Sequence, residues 1–143
     1  MLNQEITWNE ELGITTAILK DTTYNEVFVG TAKCCEEDLD MKSKLTGSDI
    51  AWRRAYIKYL KNLKKESSVQ LKALSDFQKS IKNCRHYNED FQIENMLSKK
   101  VKEFENKVKY YQTKIKFETE SLTAYINTKD KIYQKIRENR NKK

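Results

Sequence analysis

The chain has 143 residues, no proline, and three glycines, Gly13, Gly30 and Gly47. With charged residues at 34% against a typical ~25% and hydrophobic residues at 38% against ~45–50%, it suits long amphipathic helices that bury a narrow seam better than a bulky globule. The absence of glycine and proline from Ser48 to Lys143 excludes a Gly-rich phosphate loop and a succession of tightly turned strands from two thirds of the chain. Net charge is +7, unevenly divided. Residues 1–49 hold four lysines and ten acids, net −6, whereas residues 50–143 hold 24 basic and 11 acidic residues, net +13.

The first segment reads as strands. Ile14–Lys20 and Glu26–Cys34 are rich in β-branched and aromatic residues, and the polar Asp21–Asn25 between them has the length of a hairpin loop. Glu5–Trp8 adds a possible third strand, turned by Asn9–Gly13. A hairpin alone is marginal in water, so this sheet needs a helix to lean on. Gly30, inside a strand, signals a bulge or a close backbone approach.

Cys35–Lys44 reads as an acidic connector with one or two helical turns. Gly47 then reads as a stop, and Ser48 as an N-cap with Asp49 in the first turn. From Ile50 the period becomes that of a helix. Heptad position a takes Ile50, Ile57, Lys64, Leu71 and Gln78; position d takes Arg53, Leu60, Ser67, Leu74 and Ile81. Arg85–Asp90 interrupts the pattern, with Asn88 as a plausible new cap. A second run, from about 91 to 138, places Leu97, Phe104, Tyr111, Glu118, Tyr125 and Ile132 at d. Val101, Val108, Ile115, Leu122, Lys129 and Ile136 occupy a, so ten of twelve positions are apolar. The expected fold is therefore α+β and mostly α: a small antiparallel hairpin or three-stranded sheet, then a long antiparallel helical hairpin. The expected division is an acidic head over 1–47 and a basic coiled coil over 48–143, with the far end of the second helix overhanging the first and the last residues frayed. Lys64, Gln78, Glu118 and Lys129 break the seam, either setting register and oligomeric state or marking where the helices splay.

Phe28-Val29-Gly30-Thr31-Ala32-Lys33-Cys34, followed by Glu36-Glu37-Asp38, Gly47 and Ala51-Trp52-Arg53-Arg54-Ala55, resembles small accessory proteins of phages and prophages of Gram-positive bacteria. There a strand ending in Val-Gly-x-Ala-Lys-Cys runs into an acidic stretch and a charged helix. The resemblance covers about residues 26–60. It departs at Cys35, where His or Asn is expected, and just beyond, where a proline is missing. It implies a phage accessory role, and for proteins of this size a non-enzymatic inhibitor of host defence, such as an anti-CRISPR protein.

The residues themselves give little for catalysis. His86 is the single histidine, no nucleophile or phosphate motif is present, and Cys84 and His86 are two apart, a spacing that turns them in different directions on a helix. Cys34, Cys35, Cys84 and His86 count to four but lack metal-ligand spacing, so neither a metal nor a cofactor is expected. The odd cysteine count without a disulfide framework fits a reducing cytoplasm, here that of an infected bacterium. No segment is apolar enough to cross a membrane, and the N-terminus lacks a signal-peptide pattern.

Binding candidates are clearer. Lys99, Lys102, Lys107, Lys109, Lys114 and Lys116 form a basic stretch with Tyr110; Lys102, Lys109 and Lys116 recur every seven residues. They could neutralise phosphates while Tyr110 stacks on a base, or they could simply solvate a helix face. Arg53 and Arg54 beside Trp52 form a second candidate anchor, with docking of the helix start onto the sheet as the competing role for Trp52. Glu36, Glu37, Asp38 and Asp40 form an acidic surface able to mimic phosphates. Three functions follow: an inhibitor binding a bacterial defence protein or nucleoprotein, a DNA- or RNA-binding accessory of phage replication or recombination, and a structural assembly protein. A homo-oligomer through the coiled coil is expected.

Overall fold

The structure, a computed structural model, describes residues 2–34, 44–83 and 91–142. Three strands, β1 (Leu2–Asn9), β2 (Ile14–Asp21) and β3 (Glu26–Lys33), precede two helices, α1 (Lys44–Lys82) and α2 (Phe91–Asn141). The fold is α+β and mostly α, with a three-stranded antiparallel sheet of order β1-β2-β3 and a long helical hairpin. At ~1.5 Å per residue, the 51 residues of α2 extend on the order of 75 Å. Among the described residues, no helix is long and apolar enough to cross a membrane.

The turns follow from local chemistry. Asn9 Oδ1 accepts from the Leu12 N–H at 3.1 Å, and Gly13 takes the left-handed conformation (φ 63°) that closes the first hairpin. In the second, Asp21 Oδ1 accepts from the Thr23 N–H at 2.9 Å and Asn25 adopts φ 55°, one of the few non-glycine residues that does so readily. The Cys34 N–H donates to the Gly13 carbonyl at 2.9 Å, continuing the ladder one step past β3.

The chain forms two compact units, residues 1–59 with 116–143, and residues 60–115. In the first, the register pairs Ala17 with Gly30, Thr15 with Ala32 and Leu19 with Phe28, on the face that α1 covers. Ala17, Leu19, Ala32, Ala51 and Ala55 form its buried core. Around them, Trp52 stacks on Tyr56 at 5.0 Å and Phe28 meets Tyr59 edge-on at 5.5 Å. Trp52 thus packs against the core rather than standing out as an anchor. The second unit buries a thin seam of Leu60, Ser67 and Leu97, and Gln78 Nε2 donates to Ser98 Oγ at 3.2 Å.

Two of the three glycines owe their identity to packing. Gly30 sits in unbroken register, so it is a close approach and not a bulge. A Cβ there would overlap the Ala51 carbonyl oxygen and lie 2.5 Å from Ala55 N. Gly47 is not the stop, nor Ser48 the cap: α1 already begins at Lys44 and runs through both. A Cβ at Gly47 would run into Thr15 Oγ1 and crowd Thr15 Cβ at 3.3 Å. The helix tolerates the ~1 kcal/mol propensity cost of an interior glycine because β2 leaves no room for anything larger. The proposed cap at Asn88 lies outside the described residues. At the far end, α2 continues to Asn141, past the expected 138.

These contacts fix the expected effect of adding one methyl group. Gly30→Ala should destabilise the fold by about 3 kcal/mol or more, because backbone has to move to admit it. Gly47→Ala should also destabilise, by about 1–2 kcal/mol, despite better helix propensity. In a Thr15→Ala background the same change should become neutral or stabilising; denaturant titration of the four variants checks both.

A basic helix face and a charged cleft

The expected binding residues separate into distinct settings. On the part of α2 in the second unit, Lys99, Lys102, Lys107, Lys109 and Tyr110 are exposed and Lys114 is half-buried. Their exposure follows from the heptad pattern, which turns Leu97, Val101, Phe104, Val108 and Tyr111 inward and leaves the intervening positions to solvent. Glu103 partly neutralises this face, meeting Lys100 Nζ at 3.3 Å and Lys107 Nζ at 3.8 Å. Among the described residues, Lys99, Lys102 and Lys109 make no ion pair. Lys102 and Lys109 stand about 10 Å apart along the helix axis on one stripe. Tyr110 is 57% exposed, and its ring has Lys114 Nζ at 5.7 Å from the centroid. Lys116, on the part of α2 in the first unit, is exposed as well.

Arg53 and Arg54 part company. Arg53 Nε meets Asp49 Oδ1 at 3.1 Å on its own helix; toward α2, Nη1 donates to Ser121 Oγ at 3.2 Å and the guanidinium lies 5.0 Å from the Tyr125 ring centroid. Its charge is engaged inside the fold. Arg54 turns toward the sheet, and its Nη1 donates to the Thr31 carbonyl at 2.7 Å. The acidic candidates Glu36, Glu37, Asp38 and Asp40 lie outside the described residues, as do Cys35, Cys84 and His86. Cys34 is half-buried at the end of β3.

The first unit also holds a cleft of about 190 Å³ that the sequence pattern did not reveal. The ends of β1 and β3, the start of α1 and residues 126–133 of α2 form it. Lys33, Arg54 and Lys129 contribute three cations against Asp130, while Trp8 and Tyr133 supply aromatic walls. This chemistry suits a small anion with a flat apolar body. The residues lie as much as 125 positions apart in sequence, and only Lys129, a charge in an apolar seam position, hinted at the place. Lys129 there lies 5.5 Å from the Tyr125 ring centroid.

Tyr125 therefore stands between two cations. Burial pushes its hydroxyl above the ordinary tyrosine range, and the Asp49 carboxylate pushes the same way; a hydrogen bond with Thr46 and the Arg53 charge pull against them. Both folded and unfolded forms keep the proton below pH ~10, so the pairing is fully in place there. As pH rises through the higher folded value, the unfolded chain loses this proton more readily and stability falls. In a near-UV absorbance titration, Tyr125→Phe should remove an ionisation step that lies above the ordinary tyrosine range. Comparison of the chain with protein-family models, curated proteins and solved structures finds no match.

Proposed function

We propose that this is a non-enzymatic, phage-encoded binding protein that blocks a component of bacterial anti-phage defence in the manner of an anti-CRISPR protein. The exposed lysine face of α2, between Lys99 and Lys109, carries the reading. A face of that charge is drawn to phosphate-rich or acidic surfaces, and a defence complex loaded with nucleic acid offers both. The phage attribution comes from the resemblance of residues 26–60 to phage accessory proteins. Lys102 and Lys109 are the side chains best placed to make the contact, since each is exposed on one stripe.

The same spacing favours a second reading, in which the chain binds DNA or RNA directly as an accessory of phage replication or recombination. Two phosphate contacts at Lys102 and Lys109 would release counterions on binding. Salt dependence separates the readings.

In the leading case, expression of the chain in a bacterium carrying a nucleic-acid-guided defence should restore plaque formation by a targeted phage. Lys102→Glu with Lys109→Glu should abolish that rescue while leaving the circular dichroism spectrum unchanged. In the second case, purified chain should bind naked nucleic acid, and the same double variant should reduce the slope of log affinity against log salt by about 2. A double variant that rescues the phage as well as the native chain does would refute the leading reading.

A further inference from the structure

The sheet has two edges, and the fold treats them differently. On β3, register and side-chain contacts show which carbonyls face outward. Arg54 Nη1 donates to Thr31 O at 2.7 Å and Lys58 Nζ to Val29 O at 2.6 Å. Four helical residues rise ~6 Å and two strand residues ~6.6 Å, so one turn of α1 matches two outward carbonyls. Basic side chains laid along an edge are a recognised guard against strand addition.

Among the described residues, the β1 edge has no such guard. The odd residues of β2 exchange bonds with β3, so its even residues serve β1, through their partners Asn3, Glu5, Thr7 and Asn9. Leu2, Gln4, Ile6 and Trp8 consequently turn their N–H and C=O groups away from the sheet. Among the described residues, no side chain bonds to any of these groups. All of Leu2–Thr7 is exposed, and the strand has no proline, no lysine and unbroken register. Its single charge is Glu5.

We propose that β1 pairs antiparallel with β1 of a second copy of this chain, joining two sheets into one of six strands. The strand is complementary to itself in one register, centred on Ile6. There Ile6 faces Ile6 of the other copy, Gln4 faces Trp8, and each of these pairs exchanges main-chain hydrogen bonds in both directions. Glu5 then lies opposite Thr7. Centring on Glu5 would overlap as many strand residues but set two carboxylates against each other, a cross-strand repulsion that disfavours it. The shared helix-side face would carry Leu2 and Ile6, respectively 36% and 39% exposed in a single copy. This surface is independent of the lysine face invoked above, and it places self-association in the sheet rather than in a coiled coil.

Light scattering on the full chain at tens of micromolar should give twice the 17.0 kDa monomer mass. Ile6→Pro should give a monomer with unchanged helix content, because the N–H it removes points away from β2 and proline is tolerated at such an edge. Should that variant unfold, exposed position 7 provides a second pair. Thr7→Glu should weaken the dimer roughly tenfold by facing Glu5, and Thr7→Lys should strengthen it by a similar factor. A native chain that remains monomeric overturns the proposal. So does a dimer indifferent to both substitutions at Thr7.

Discussion

The fold rests on one close approach. Gly30 of β3 admits the backbone of α1 at Ala51 and Ala55, and Ala17 and Ala32 complete a floor of small side chains. Each residue contributes little apolar area by itself, but together they let a helix lie near enough for Arg54 and Lys58 to reach strand carbonyls. Larger side chains would lift α1 and break both bonds. A three-stranded sheet of eight-residue strands becomes stable here because a helix is held against it at backbone distance.

Periodicity carried most of the architecture. Alternating β-branched runs located β2 and β3 almost to the residue, and the heptad stripes separated buried and half-buried from exposed positions along α1 and along α2 as far as Lys129, beyond which the expected seam residues Ile132 and Ile136 are exposed. The failures cluster at Gly47 and at the start of α1. Reading Gly47 as a stop applied a local rule, that glycine ends helices, to a residue selected by a distant constraint, the Thr15 side chain on β2. Nothing in the neighbouring sequence distinguishes the two cases. Gly30 was easier because a glycine inside a strand has few other uses.

The candidate sites divide along the same line. The lysine face of α2 was legible because exposure on a helix follows from spacing alone. The cleft was not, since it depends on Trp8, Lys33, Arg54 and Lys129 being gathered by tertiary folding. Arg53 and Arg54 show how adjacent residues can be misread as one feature. A 100° step around the helix sends one to Asp49, Ser121 and Tyr125 and the other to the edge of β3. A pair that looks like a single anchor in sequence instead ties α1 to two different neighbours.

The Arg53–Ser121 bond spans 68 residues, whereas Arg54 and Lys58 reach partners only 23 and 29 residues back. Chain-closure entropy rises with the logarithm of loop length, so the longer loop costs about 1 kcal/mol more to close. The sheet and the first turns of α1 can therefore assemble while the remainder of the chain is still emerging from the ribosome. The C-terminal part of α2, synthesised last, then meets a surface that can already be in place. A chain that finishes its sheet early leaves fewer strand groups exposed to the wrong partner.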